Sequence, residues 1–313
     1  MLQQTAEFRG AAVVRSRDPK VLDTLPIVVD VGAVYEPARH RYDHHQRGFA
    51  ETLSPSHTMK LSSAGLVYKH FGREVIKALA PSIADADVET VYQKVYTGFV
   101  EALDGIDNGI AAYPADIAPL YKSRTDLSSR VGKLNPDWNE PEGSVDMNAR
   151  FAEAMALTGA ELTAEIRFYA KSWLPARHIV QEALAKRFSV HASGQILRLD
   201  TFTLWKNHLL DLEVEEKIPA PVLYVLYAES GSSNKWRVQC VPESESSFES
   251  RKAMPEPWRG VRDEALSTLT SIPGCVFVHA SGFIGGAASY DSALAMAVAS
   301  LEAPSNKKQK MEA

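Results

Sequence analysis

The residues of this chain whose types and spacing could do chemistry are an aspartate and two adjacent histidines, in the stretch Tyr42-Asp43-His44-His45-Gln46. One short connection earlier, Asp30 closes the run Pro26-Ile27-Val28-Val29. Carboxylate oxygen and imidazole nitrogen can therefore converge on one divalent cation. Neighbouring residues of an extended segment point to opposite sides, so one of the histidines can ligate an ion while the other faces a substrate or a partner behind the ligands. Arg39, Arg41 and Arg47 flank the pair, and guanidinium groups beside a metal cluster suit a phosphate-bearing substrate. The tripeptide alone also fits a turn in which Asp43 caps backbone amides. Asp30 at the end of a buried strand favours the metal site, because open α/β sheets place ligands there.

A second source of carboxylate lies downstream. From Asp87 the apolar residues Val88, Val91, Tyr92, Val95, Tyr96, Phe99, Val100 and Leu103 form a helical stripe that ends in Glu101, Asp104 and Asp107. Carboxylates three residues apart share a helix face, so two or three of them can point at one cation. Asp107-Asn108-Gly109 can equally close the helix with a left-handed residue. Both readings can hold together, and spacing does not choose between Asp104 and Asp107.

Positioning these groups requires an α/β fold. Ala11 to Arg15 reads as a strand, Asp18-Pro19 as a capped helical turn, and Pro26 to Asp30 as a second buried strand, which implies a parallel pair with a crossover. Ser62-Ser63 cap a helix running through Ala78. Tyr113 to Glu142 is a long connection with a short helix near Leu127 to Leu134. Val145 to Arg187 is helical and broken at Trp173-Leu174-Pro175, because the residue before proline resists the α region. The pattern then changes to strands at Phe188 to His191, Ile196 to Leu199, Val222 to Ala228 and Lys235 to Val241, with turns at Gly194 and Gly231-Ser232-Ser233-Asn234. A turn at Pro255 to Gly260 leads into a helix from Asp263 to Leu269. Val276 to His279 is a strand running into Ala280-Ser281-Gly282-Phe283-Ile284-Gly285-Gly286 and a helix from Tyr290 to Leu301. Strand, glycine-rich loop, helix is an order that can bind phosphate, although tight turns use paired glycines as readily. The expected domains are 1–187, 188–302 and a disordered tail, 303–313.

At 313 residues the chain is long enough for two cores, since single cores stop growing near ~250–300 residues. Its 45% hydrophobic and 23% charged residues are globular values, and a net charge of −5 supplies no global field for duplex nucleic acid. A nucleic-acid substrate must be gripped locally. Cys240 and Cys275 lie in apolar runs and point to a reducing compartment. No stretch has the ~18–20 apolar residues of a membrane span, and the first eight residues form neither a signal peptide nor an Arg-rich presequence. There is no Walker loop, Rossmann glycine fingerprint or Gly-x-Ser-x-Gly elbow, which sets aside nucleotide-driven, dehydrogenase and serine-hydrolase chemistry.

Val28 to Phe49, with Lys60-Leu61-Ser62-Ser63-Ala64-Gly65-Leu66, Asp104 to Gly109, Ser172 to Arg177 and His279 to Gly286, resembles the melanocyte-proliferating-gene family, which implies a metal-dependent hydrolase. The resemblance runs from about Val13 to Leu301. These proteins are similar to the DHH phosphoesterases. The resemblance implies a DHH-like parallel sheet flanked by helices, a second smaller α/β domain, and 3′-to-5′ exonuclease activity on single-stranded RNA with Mn²⁺ or Mg²⁺. Its metal ligands would be Asp30, His44 and Asp104 or Asp107, with His45 at the scissile phosphate and Asp43 behind His44. Arg41, Arg47, Arg259, His279, Ser281, Gly282, Gly285 and Gly286 would hold the strand, and Tyr42, Phe49 or Phe283 would stack on bases. Members of this family open with a strand and a loop of further histidine and aspartate ligands upstream of the segment matching Ala11 to Arg15. A chain without them is expected in nucleus and cytoplasm, with mitochondria added for longer members. Two rival readings follow: a catalytically silent isoform, and a small-molecule phosphoesterase using the same ligands.

Overall fold

The computed structural model describes residues 1–114, 116–141, 143–229 and 234–304. The chain divides into two compact units, Met1–Leu174 and Pro175–Ala313, and both mix helix with strand. The division falls inside the helical run rather than after Arg187.

In the first unit, Asp18 accepts the Lys20 amide and starts helix α1, Pro19–Leu22, with proline at its first position. Three short strands follow: β1 Val28–Val29, β2 Tyr35–Glu36 and β3 Arg41–Tyr42, in the order β1-β3-β2. β1 runs parallel to β3, pairing Val28 with Arg41 and Val29 with Tyr42, and β2 is antiparallel to β3. Ala11 to Arg15 is therefore not the strand that its sequence suggests. It lies in a groove of about 970 Å³ shared with Ile27, Val29, Val67, Phe151 and Met155. Val13 and Val14 stay half exposed there. Arg15 fixes it to the next helical layer by donating to the Met147 carbonyl and lying over the Phe151 ring.

Helix α2, Ser63–Leu79, begins where Ser62 Oγ accepts the Gly65 amide. Its apolar face, Leu66, Tyr68, Phe71, Val75 and Ile76, packs on Val91, Tyr92 and Val95 of α3, Asp85–Val95. Tyr68 stacks on Tyr92 at 4.8 Å between ring centroids. α3 passes through a π-turn, Tyr96–Val100, into α4, Glu101–Asp107, which Gly109 closes at φ +69°. After α5, Leu127–Gly132, the long α6, Met147–Phe168, adds Leu162 and Ile166 to the core. A second π-turn, Tyr169–Trp173, replaces the predicted break. Leu174 stays helical at φ −63°, ψ −46°, and α7, Leu174–Ala185, continues from it. Pro175 follows the π-turn directly, and the wider turn there accommodates the ladder bond that its missing N–H cannot make.

The second unit has a five-stranded sheet. Its strands are β4 Ile196–Leu199, β5 Tyr224–Ala228, β6 Trp236–Cys240, β7 Cys275–Val278 and β8 Ile284–Ala287, in the order β4-β5-β6-β8-β7. Only β4 and β5 are parallel. The predicted strand at Phe188 is instead one turn of helix, α8 Arg187–Val190, held where Arg187 donates to the Leu184 carbonyl. A short apolar run does not distinguish the two states by periodicity. α9, Lys206–Glu215, has too weak a stripe to stand out in the sequence. α10 spans Asp263–Thr270 and α11 Tyr290–Glu302. α11 covers Ile196, Tyr224, Leu226, Val238 and Ala287 on one sheet face. α7 and α9 cover Leu197, Leu199, Val225 and Tyr227 on the other. Cys240 and Cys275 are free and buried, and burial pushes the Cys240 thiol up to about 12. The tail from residue 305 and most of the turn at Gly231 lie outside the described residues. Among the described residues no helix is long and apolar enough to cross a membrane.

Candidate metal centre

After β1 the backbone enters left-handed conformations at Asp30, Gly32 and Ala33, with φ of 66°, 94° and 54°. Alanine there carries strain of about 1–3 kcal/mol. The Ala33 amide holds the loop by donating to Asp43 Oδ2 at 2.6 Å. The left-handed turn also aims Asp30 at the residues that follow β3. One oxygen or nitrogen from each of Asp30, Asp43, His44 and His45 lies within 4.8 Å of all the others. His44 and Asp43 are buried, whereas Asp30 and His45 each leave 60% of the side chain exposed. The cluster has a sheltered floor and an open rim.

The two histidines do not point to opposite sides. β3 ends at Tyr42, and the Gln46 amide donates to the His44 carbonyl at 2.8 Å. This tight turn brings the imidazoles to 4.0 Å between centroids. Asp43 also braces a different partner from the one expected, since its Oδ1 accepts both the His45 amide at 2.9 Å and His45 Nδ1 at 2.7 Å. His44 is held by the start of α2 instead. Its Nδ1 receives the Ser63 amide at 3.1 Å and lies 2.9 Å from Ser63 Oγ. With Nδ1 accepting, the proton of the neutral ring sits on Nε2, which faces Asp107 Oδ2 at 3.3 Å. Ser63 is legible in the sequence only as a capping residue, because nothing there shows that α2 starts beneath His44.

Asp104 and Asp107 part company. Asp104 is fully buried, and accepts the Ser62 amide at 2.9 Å, Ser62 Oγ at 2.6 Å and the Tyr96 hydroxyl at 3.1 Å. It ties α4 to the start of α2, while Asp107 reaches the cluster. Burial raises the Asp104 carboxyl above its ordinary value, against the pull of those donors. For Asp43 burial acts upward too, but the amides of His45 and Ala33 and the His45 ring outweigh it and hold the carboxyl low. His44 is held below the usual imidazole value by burial and by His45, against Asp107, Asp30 and Asp43. The folded state therefore binds less proton at His44 than the unfolded chain does. That contribution to stability is present above pH 6.5 and lost as pH falls below it. Titration followed by imidazole ¹⁵N shifts is expected to place the His44 midpoint below 6.5, and a midpoint above it would contradict the packing described.

Of the arginines, Arg41 is engaged elsewhere, donating to the carbonyls of Arg39, Leu22 and Leu25. Arg39 pairs with Glu36 at 3.3 Å, and Arg47 is exposed just past His45. Tyr42 is 2% exposed, which removes it as a stacking surface, while Phe49 packs 6.5 Å from the His44 ring. In the second unit the β7–β8 turn gathers His279, Ser281, Gly282 and Phe283. His279 Nδ1 lies 2.9 Å from Ser281 Oγ, and the His279 and Phe283 rings are 4.8 Å apart. Gly282 is at φ +76° against Arg259, which donates to the Met254 carbonyl. Arg259, Ser281 and Phe283 line a hollow of about 470 Å³ with Arg251 and Lys252. Gly285 and Gly286 are not in a phosphate loop. They lie within β8, five and four residues before α11 begins, and their missing side chains admit neighbours: Met254 at Gly285, Arg237 and Phe277 at Gly286.

Residues 1–301 match the sequence model of an uncharacterised protein family, UPF0160, that carries the label MYG1 exonuclease. The chain is 50% identical over 309 residues to the MYG1 exonuclease of Rattus norvegicus, covering 96% of this chain and 80% of the relative. Identity to the MYG1 exonuclease of Homo sapiens is 49% over 309 residues, at 96% and 81% coverage. To the MYG1 protein of Dictyostelium discoideum it is 46% over 301 residues, at 96% and 91% coverage.

Proposed function

The chain belongs to the MYG1 exonuclease family, UPF0160, and from that premise we propose that it is a metal-dependent phosphodiesterase that shortens single-stranded RNA from the 3′ end. The observation that carries this reading is the meeting of Asp30, Asp43, His44 and His45 within 4.8 Å, with Asp107 3.3 Å from His44. Carboxylate oxygen with imidazole nitrogen fits Mn²⁺ or Mg²⁺, and two buried donors beside two exposed ones leave room for a substrate. Asp30 and Asp107 would hold the cation, with His44 joining them through Nε2 once the ring proton moves to Nδ1, where Ser63 Oγ can accept it. Bound there, it would neutralise phosphate charge and lower the pKa of water.

The protein groups supply orientation. Asp43 accepts from His45 Nδ1, which leaves His45 Nε2 on the exposed rim, where the doubly protonated ring would donate to a phosphoryl oxygen. Ser63 holds His44 from below. Exposed Arg47 stands where it can meet the next phosphate. In the reaction water adds to phosphorus, the P–O3′ bond breaks with its electron pair going to O3′, and a nucleoside 5′-monophosphate leaves.

The test is 5′-labelled single-stranded RNA with a free or a blocked 3′ end. A descending ladder is expected from the free end alone, abolished by a chelator and restored by Mn²⁺. A chain that leaves RNA and DNA intact while hydrolysing pyrophosphate or small phosphodiesters would move the assignment to a small-molecule phosphoesterase.

A further inference from the structure

One cross-strand row of the second unit carries a chemistry that the metal centre does not use. Register sets Tyr227 of β5 opposite Arg237 of β6, Arg237 opposite Gly286 of β8, and Gly286 opposite Phe277 of β7. A bridge beyond the strands then pairs Phe277 with Arg262. All of these lie on the face away from α11. The α7 and α9 cluster covers that face at β4 and β5 and includes no residue of β7 or β8.

Side-chain geometry makes the row a stack. Arg237 Cζ lies 5.0 Å from the Phe277 ring centroid and Arg262 Cζ 5.7 Å from it. Phe202, 48% exposed, packs at 5.2 Å on Tyr227 at the other end. Gly286 is what lets the guanidinium and the ring lie flat on the sheet. A Cβ there would sit 2.5 Å from Arg237 Nη1 and 2.7 Å from Phe277 Cε1. Charge on this face is mixed, since Glu229 pairs with Arg237 and Asp263 lies 4.0 Å from Arg262. Arg262 is nonetheless 67% exposed, and Lys235 falls on the same face by strand alternation. Cationic groups at the edges of an aromatic layer are thus open in a chain whose net charge is −5.

We propose that the open members of this row, Phe202, Arg237, Phe277 and Arg262, laid on Gly286 and on the buried Tyr227 that supports Phe202 from beneath, are a base-stacking platform for single-stranded nucleic acid. Three strand spacings make it about 14 Å long. Bases stack on the Phe277 and guanidinium planes, and Arg262 and Lys235 meet phosphates. Such a surface is indifferent to sequence, as an enzyme that shortens RNA residue by residue requires. The choice of ligand rests on the proposed exonuclease reading, whereas the surface rests on the register and ring contacts.

The measurement is fluorescence anisotropy of a labelled 12-nucleotide oligouridine with the full chain in EDTA, so that binding is read without turnover. Phe277→Ala is expected to weaken binding about tenfold, as loss of one stacked base does, while Phe277→Trp keeps it. Arg262→Gln is expected to lower the slope of log K against log salt by about 0.7. An abasic oligomer of equal length is expected to bind poorly to the parent and to be indifferent to Phe277→Ala. Parent-like oligouridine binding by a folded Phe277→Ala chain would overturn the platform, as would equal affinity for the abasic oligomer. Efficient competition by polyglutamate would overturn it too, by making the face a surface for acidic protein. RNA shortening by a chain whose Phe277→Ala variant binds normally would sink only the platform. Phe277-dependent binding without any shortening would sink only the exonuclease reading.

Discussion

An Asp104→Ala chain is expected to melt on the order of 10 °C below the parent in circular dichroism. The carboxylate is fully buried and accepts from Ser62 twice and from Tyr96 once. Its removal strands three donors, and each orphaned buried group costs about 1–3 kcal/mol. Even partial relaxation leaves about 3–5 kcal/mol, and 1 kcal/mol moves the midpoint of a unit this size by roughly 2–4 °C. Tyr96 cannot relieve the loss by ionising, because its burial pushes the phenol up. Asp104→Asn is expected to be milder, since an amide oxygen still accepts from Ser62. It is also expected to change the pH dependence in a stated direction. A carboxyl raised above its ordinary value makes the folded state bind more proton, so its contribution is full below pH 3.8 and is lost as pH rises through the folded value. The asparagine variant lacks that decline. Gly65→Ala is the independent check, because a Cβ at Gly65 would collide with both Asp104 carboxylate oxygens. Parent-like melting of both Asp104→Ala and Gly65→Ala would refute the account of this junction.

Residue type made the core of the centre legible, and contact geometry made its supports illegible. Asp30, Asp43, His44 and His45 are rare in company, and a strand followed by a short connection brings them close whatever the details of the turn. The direction in which each imidazole faces depends on a turn after Tyr42 that no alternation rule describes, so the roles of Asp43 and Ser63 came only from the structure. Helical spacing left Asp104 and Asp107 equivalent. The π-turn before α4 and the arrival of α2 at Ser62 separate them, and neither has a sequence signature. The same limit explains the fold. Strongly periodic helices such as α2 stood out, whereas two-residue strands and a strand built on Ile284-Gly285-Gly286-Ala287 offered no pattern, and glycines that admit Arg237 and Phe277 look like glycines of a loop. Ala11 to Arg15 has strand composition but no partner in register, and strand propensity without pairing yields only an extended segment.

His44→Ala and Asp107→Asn are expected to lower the proposed RNA shortening by on the order of 100-fold or more, Asp107→Asn with a melting temperature within a few degrees of the parent and His44→Ala with a lower one, because it strands the buried Ser63 amide. His44 is 3% exposed and reaches both carboxylates, Asp107 at 3.3 Å and Asp30 at 3.8 Å. Removing partners that merely orient ligands costs about 10–100-fold, so loss of a donor itself sets the higher figure. Asp107 is half exposed at the end of α4, and its replacement by asparagine strands no buried donor. Stability and activity thus separate along one helix: Asp104 governs melting and Asp107 governs turnover. Ser63→Ala lies between them. It keeps the backbone amide to His44 Nδ1 and loses only the hydroxyl at 2.9 Å, so a loss of about tenfold is expected with higher Mn²⁺ concentrations partly restoring the rate. A folded Asp107→Asn chain with full activity would remove Asp107 from the centre, and a folded His44→Ala chain with full activity would remove the centre from the reaction.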